Sequence, residues 1–398
     1  MKGALEDITV IDFGWVLSGP YCSMLLRDLG ATVIKIERPG RGDLVRGTPP
    51  LWTDTDSGYF MSINRGKQSM TLDVSTDEGR SILFGLVKQA DVMLENFIPG
   101  NVKRLGIDYQ AVKKINPRII YASISGFGQT GPYANLPALD VIIQGMGGIM
   151  SVTGEADSGP VRVGASIGDI MAGVFTALGI VAALHERESS GEGQYIDTSM
   201  MDVQAAVLEN PITRYLVTGR IPERYGSRHP SFTPFQSFET KDGYIVVACI
   251  STIPDPFALL CNVMGLDELT SDPRFSTPYS RSDNYDVLEP ILSKRFKART
   301  TSEWLKDIQA VGVPCGPVNT IDKIVNDPQI KHREMLVEFP HPRLGTWRGV
   351  NSPLKLSRTP GKAQGVAPDL GEHTESILSE MLGMSKSKID QLRKDGII

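Results

Sequence analysis

The chain has 398 residues, of which 41% are hydrophobic and 22% charged, with a formal net charge of −5. These are globular proportions with length for two or three domains, and the acidic balance excludes a global basic field for nucleic acid. Four scattered cysteines (Cys22, Cys249, Cys261 and Cys315) have neither metal-ligand nor redox spacing and are too few for a disulfide framework. A reducing cytoplasm and no metal are the expectation. The first residues carry no apolar signal core.

Residues 8–13 read as a buried strand. Gly14, Ser18, Gly19 and Pro20 follow, then a helical segment to about Leu29 and a second strand at 32–37. This is a β-α-β unit, the start of a parallel sheet. It lacks a GxGxxG turn, so a dinucleotide is not indicated. Another strand is expected at 70–74. Ser75 with Glu78 predicts a capping box for a helix to about Gln89. Strands at 91–97 and 118–124 flank a short helix at 109–114. The alternation predicts a large, doubly wound Rossmann-like α/β domain over residues 1–200, binding its ligand at the carboxyl ends of the strands.

Those strand ends are rich in glycine and proline. Glu37-Arg38-Pro39-Gly40 follows one strand, Glu95-Asn96-Phe97-Ile98-Pro99-Gly100 another, and Ser125-Gly126-Phe127-Gly128 a third. Cations, amides and aromatics in three such loops suit a ligand with phosphates and an aromatic head. Each loop by itself also reads as a tight α/β connection.

Gly164-Ala165-Ser166-Ile167-Gly168-Asp169 precedes an uncharged run at 170–184. The run is shorter than the roughly 18 residues of a membrane span and reads as a buried helix, with no membrane role. Asp169 falls where the helix begins. It reads either as a helix cap or as a carboxylate presented to a ligand.

Residues 201–224 are expected to be a linker, with prolines and glycines continuing to 234. A smaller α/β domain follows at 225–325. In it, residues 235–239 and 244–250 form a hairpin across Asp242-Gly243, with helices at 257–264 and 301–311. Residues 326–360 look like an irregular return linker. Residues 361–398 carry two helices, at 374–382 and 386–394. Histidines draw no catalytic role: His185 is read as ending the central helix.

Several segments together resemble the family III CoA-transferases. They are Val10-Ile11-Asp12-Phe13, Gly19-Pro20, Gly30 through Glu37, Asn64-Arg65-Gly66-Lys67, Glu95-Asn96-Phe97, Gly126-Phe127-Gly128, Gly168-Asp169, Gly191-Glu192-Gly193-Gln194 and Leu370-Gly371-Glu372-His373-Thr374. None is specific alone. Together they keep family order over nearly the whole chain. The resemblance implies an interlocked homodimer that transfers coenzyme A from an acyl-CoA thioester to a carboxylic acid, with no tightly bound cofactor. Asp169 matches the catalytic aspartate, which forms a mixed anhydride and then an aspartyl-CoA thioester. Its ionisation suits a helix N-terminus, whose N–H groups also suit oxyanions. The family pattern points to Arg38, Leu72, Asn96, Phe97 and Arg104 for CoA, with Lys35 and Lys67 as weaker candidates. Val16 matches a loop position near the catalytic carboxylate, Trp15 sits beside it, and Asp140 matches an acidic position close by.

Two features bear on the acids. The region 248–256 lacks the glycine run of formyl-CoA transferase. Arg228 and His229, in Gly226-Ser227-Arg228-His229-Pro230, are the expected partners for the second carboxylate of a dicarboxylate such as succinate. The rival readings are an α-methylacyl-CoA racemase-like enzyme and a non-catalytic acyl-CoA-binding protein. Racemisation needs two bases, and the position before Asp140 is Leu139 where racemases carry histidine.

Overall fold

Six runs rich in aliphatic and β-branched residues pair into one parallel sheet: β1 (Thr9–Asp12), β2 (Thr32–Glu37), β3 (Gln68–Thr71), β4 (Val92–Glu95), β5 (Ile120–Ser125) and β6 (Tyr195–Ser199). Their order is β3-β2-β1-β4-β5-β6, and every neighbouring pair is parallel. The fold is thus mixed α/β around a central parallel sheet. It comes from a computed structural model that describes residues 2–52, 57–250, 255–343 and 345–398.

Alternate strand residues face opposite ways, and each face has its own core. Val10, Val33, Leu94 and Ile124 pack under α1 (Ser18–Asp28), α6 (Asp140–Met146), α7 (Ile167–Ser190) and α8 (Met200–Val207). Ile11, Ile34, Met93 and Tyr121 pack under α3 (Asp77–Val87), α5 (Tyr109–Ile115) and the C-terminal helices. Those last helices, Thr374–Leu382 and Lys386–Lys394, have the expected bounds, and they bury Ile377, Leu378, Ile389 and Leu392.

Local chemistry moves several expected boundaries. The cap of α3 is Thr76, whose hydroxyl accepts from Gly79 N, because Ser75 is held by the Asp73 carboxylate instead. β6 escapes the sequence reading: it is an edge strand in which Tyr195 and Ile196 are followed by Asp197, Thr198 and Ser199, too short an apolar run to mark a strand. Helix α7 runs beyond the apolar stretch to Gly191, whose φ of 75° ends it, so His185 lies inside the helix. Arg187 prolongs it by pairing with Asp91 at 2.8 Å.

Gly173 sets the closeness of α1 and α7. A Cβ there would stand 2.9 Å from Ser18 O and 3.2 Å from Cys22 N. Gly173→Ala is therefore expected to lower stability by about 1–3 kcal/mol through overpacking. Thermal melts of the two proteins check this.

Two compact units emerge: Met1–Ile149 with Arg162–Thr213 and Pro328–Ile398, and Met150–Val161 with Arg214–Asp327. In the second, β7 (Phe235–Glu239) and β8 (Tyr244–Ala248) form the expected hairpin, and β9 (Cys315–Pro317) adds to it antiparallel. Asp242 at the turn accepts Thr301 N at 2.7 Å, while Thr300, in a capping box with Glu303, caps the helix Thr301–Ala310. Phe238, Phe296 and Trp304 centre this core.

The return segment is not irregular. β10 (Leu336–His341) and β11 (Gly345–Val350) pair antiparallel. Phe339 and Trp347 stack at 4.9 Å and join Val45, Phe60 and Met61 in a small core of the first unit. Pro340 hides this strand from a sequence reading, although proline is tolerated on an edge.

Candidate active site

In the order 3-2-1-4-5-6 the direction in which successive strands are added reverses between the parallel neighbours β1 and β4, the point where a crevice opens at their carboxyl ends. Asn96, just after β4, clamps the loop after β1. Its Oδ1 accepts Trp15 N at 2.7 Å, while its Nδ2 donates to Trp15 O at 2.9 Å and to Ser18 Oγ at 3.0 Å. Glu95 holds the other side by accepting Phe97 N at 2.7 Å and the Ser123 hydroxyl; burial pushes its carboxyl up to about 7.

The clamped loop is strained. Val16 has φ of 60°, a left-handed conformation that costs a β-branched residue about 1–3 kcal/mol. Its N–H donates to Asp43 Oδ1 at 3.2 Å. Beneath it lie two buried ion pairs, Lys35–Asp43 at 2.9 Å and Lys67–Asp12 at 3.1 Å.

Asp169 lies in the first turn of α7, and the cap residue is Ser166. The carboxylate that holds this helix end belongs to Asp140, at the start of α6. Asp140 Oδ1 accepts Gly168 N at 2.8 Å and Asp169 N at 3.4 Å. Its Oδ2 accepts from the fully buried Gln144 at 2.7 Å, and Gln144 in turn accepts Val163 N at 2.8 Å. The neighbouring donors are also taken: Ile167 N bonds Ala165 O and Ile170 N bonds Ser166 O. The first turn of α7 thus offers no free N–H to an oxyanion, contrary to expectation. The ionisation of Asp169 differs too. Burial, then the Asp140 charge, push its carboxyl up to about 7, while a hydrogen bond from Ser18 works the other way.

Asp169, Asp140, Val16, Trp15, Asn96 and Phe97 all line one cavity of about 200 Å³. Trp15 and Phe97, in edge contact at 6.3 Å, also line a second cavity of about 220 Å³ with Arg38, Leu72 and Leu105. The aromatic pair is a shared wall. One extended ligand can lay a flat apolar head beside Arg38 and Leu72 and reach past Trp15 to Asp169.

Three other expected residues, Lys35, Lys67 and Arg104, line neither cavity. The Lys35 ammonium is 1% exposed and held by Asp43 and by Gly14 O at 2.6 Å, so its role is structural. Lys67 is enclosed likewise by Asp12, Asn64 and Pro20 O. The Asn96 amide is wholly engaged with Trp15 and Ser18. Arg104 is exposed on α4 (Asn101–Leu105), bonded to Asn101, one residue from the wall at Leu105. Arg228 and His229 belong to the second unit. There the Arg228 guanidinium lies 4.0 Å over the Tyr285 ring, and His229 stacks on Phe232 and accepts Ser231 N. In the region lacking a glycine run, residues 251–254 lie outside the described residues.

Sequence reasoning missed Asp43, Ser18 and Tyr59. Tyr59 lies in the first turn of α2 (Gly58–Asn64); burial and then the charges of Asp169, Asp43 and Asp140 push its phenol up to about 12. It packs against the Leu17, Met24 and Ile63 cluster, of which Leu17 lines the cavity. The only available signal was its place just before Asn64-Arg65-Gly66-Lys67.

The profile of CoA-transferase family III matches residues 5–374. The chain is 40% identical over 387 residues to a succinyl-CoA:mesaconate CoA-transferase of Haloarcula hispanica, covering 95% of this chain and 96% of the relative. It is 36% identical over 394 residues to a succinyl-CoA:glutarate CoA-transferase of Mus musculus, covering 99% and 90%. A crystal structure of a CAIB/BAIF family protein from Brucella suis superposes with a TM-score of 0.86 at 37% identity, over 96% of this chain and all of that one.

Proposed function

The chain belongs to CoA-transferase family III, and from that premise we propose that Asp169 is its covalent nucleophile and that its acids are small dicarboxylates. The enzyme moves CoA between acyl-CoA thioesters and carboxylic acids. The observation that carries the finer reading is one carboxylate, half-buried among Val16, Trp15 and Asp140, in a cavity that shares its Trp15 and Phe97 wall with the Arg38 cavity.

On this reading the nucleotide of CoA lies against Arg38, Leu72 and Phe97, and the thioester reaches Asp169. The Asp169 carboxylate attacks the thioester carbonyl, the C–S bond breaks, and a mixed anhydride and CoA thiolate form. The thiolate attacks the aspartyl carbonyl, releases the donor acid and leaves an aspartyl-CoA thioester. The acceptor carboxylate repeats these steps in reverse, and Asp169 is regenerated. No proton is gained or lost overall. Ser18, held by Asn96, donates to the Asp169 carboxylate and orients it. The enclosing aromatics keep water from the anhydrides.

The dicarboxylate reading is supported by the two named relatives, both of which pair succinyl-CoA with a dicarboxylic acid. Acyl-CoA donors tested against a panel of mono- and dicarboxylic acids, with products read by mass spectrometry, check it. Succinyl-CoA with a four- or five-carbon dicarboxylate should exceed any monocarboxylate pair by about tenfold or more in kcat/KM. Preference for a monocarboxylate would refute it.

We further propose that the enzyme works as an interlocked homodimer. The most apolar 18-residue stretch of helix α7 has mean hydropathy 2.0, yet less than half of it is buried in the chain. Val174, Phe175, Leu178 and Val181 are exposed, Leu178 at 63%. A second copy covering this stripe accounts for it. Native mass spectrometry should give twice the chain mass; a monomer would contradict this.

A further inference from the structure

Two non-glycine residues in the described chain take a left-handed φ, Val16 and Glu334, and only Val16 lines the cavity of Asp169. A β-branched residue stays in that conformation only when its surroundings over-determine it. Both ends of its loop run to one buried ion pair. Lys35 Nζ donates to Gly14 O at 2.6 Å, and Asp43 Oδ1 accepts Val16 N at 3.2 Å. Lys35 and Asp43 are joined at 2.9 Å, each side chain 1% exposed. Lys35 lies in β2, and Asp43 lies six residues beyond that strand, where Glu37 Oε1 accepts Asp43 N at 2.9 Å and Asp43 Oδ1 also accepts Val45 N at 3.2 Å. The pair is therefore fixed to the sheet on one side and grips the loop on the other. A fully buried ion pair is a poor source of stability compared with apolar packing, and conformational specificity is the better-founded reason to keep one.

We propose that Lys35 and Asp43 are positioning residues that lock Gly14 and Val16, hold the Val16 side chain at the mouth of Asp169, and so determine which acyl groups reach it. This rests on the reading of that cavity as the acyl site. Neither residue touches the acyl group; both act through the Val16 backbone.

Asp43→Asn keeps an oxygen for the Val16 N–H but removes the charge facing Lys35. Glycine takes φ near 60° without strain, so Val16→Gly no longer needs the lock. The test is a double-mutant cycle in the full-length enzyme. With Val16 present, Asp43→Asn should lower kcat for the preferred acid about tenfold and narrow the preference between straight and branched acids about fivefold, with the Kd for free CoA unchanged. In the Val16→Gly background the same substitution should change kcat less than about threefold. A merely structural role would affect both backgrounds and all acids alike, and that result overturns the proposal. If Asp43→Asn fails to fold, the Lys35→Met/Asp43→Leu pair, which leaves no unpaired buried charge, takes its place in the cycle with the same expected pattern. Transfer by the wild type with equal effects in both backgrounds overturns this proposal alone. No transfer by the wild type with any donor and acid overturns the functional reading with it.

Discussion

Asp169→Asn lowers CoA transfer by at least about a thousandfold, because the amide removes the carboxylate proposed to form the anhydride, and losing a covalent nucleophile has effects of that order or larger. The variant keeps its fold, and the pH dependence of its stability distinguishes it from a damaged protein. Burial and Asp140 push the Asp169 carboxyl up to about 7. An acid whose folded pKa is raised above its unfolded value favours the fold when protonated. That contribution is fully present below pH 3.8 and is lost as pH rises through about 7. The wild type therefore carries an unfavourable ionised carboxylate at pH 8 that the asparagine variant lacks. Asp169→Asn should be more stable than wild type by about 1–3 kcal/mol at pH 8, and the gap should narrow by about half at pH 5 and close only below pH 3.8. Paired melts at the two pH values, with the transfer assay, check both statements.

Asp140→Asn separates the two things Asp140 does. The asparagine oxygen still accepts the Gly168 N–H, so the first turn of α7 stays held. The negative charge is gone, and it is the second cause, after burial, of the raised Asp169 carboxyl. In the wild type, the ionised nucleophile declines tenfold for each unit below about 7, so kcat/KM should rise with pH and level off above that value. In Asp140→Asn the acid limb should move to lower pH, and the variant should keep a larger share of its plateau activity at pH 6. Burial remains, so the limb should stay above the ordinary aspartate range. Asp140→Ala should add a different loss: Gly168 N and Asp169 N are left without their acceptor, which destabilises the fold by about 1 kcal/mol. An unmoved acid limb in Asp140→Asn would show that the Asp140 charge does not reach the nucleophile.

Much of this arrangement is legible in the chain. The apolar runs at β1, β2, β4 and β5 specify buried parallel strands, and the uncharged stretch after Asp169 specifies a core helix. The Asp169 neighbourhood is marked by its glycines, and the structure shows what two of them do: Gly173 admits α1, and Gly168 presents its N–H to Asp140. What escapes the sequence depends on partners far along the chain. Lys35 looks like a cation for phosphate until Asp43 and the Gly14 carbonyl enclose it. Asn96 looks like a ligand contact until the Trp15 backbone takes its amide. Asp169 looks ionised by its helix until Asp140 occupies the N–H groups that would have favoured the charge. In each case the residue type and spacing are right for a ligand site, and a long-range hydrogen bond decides the role.

In the proposed mechanism Asp169 carries the group in transit. The most direct test is to mix the wild-type enzyme with acyl-CoA, quench with hydroxylamine and locate the modification by peptide mass spectrometry. Hydroxylamine attacks an aspartyl anhydride or thioester and leaves a hydroxamate on the side chain. That label is expected on Asp169, dependent on acyl-CoA and absent from Asp169→Asn. Turnover with no hydroxamate on Asp169, or the label on another carboxylate, would contradict it.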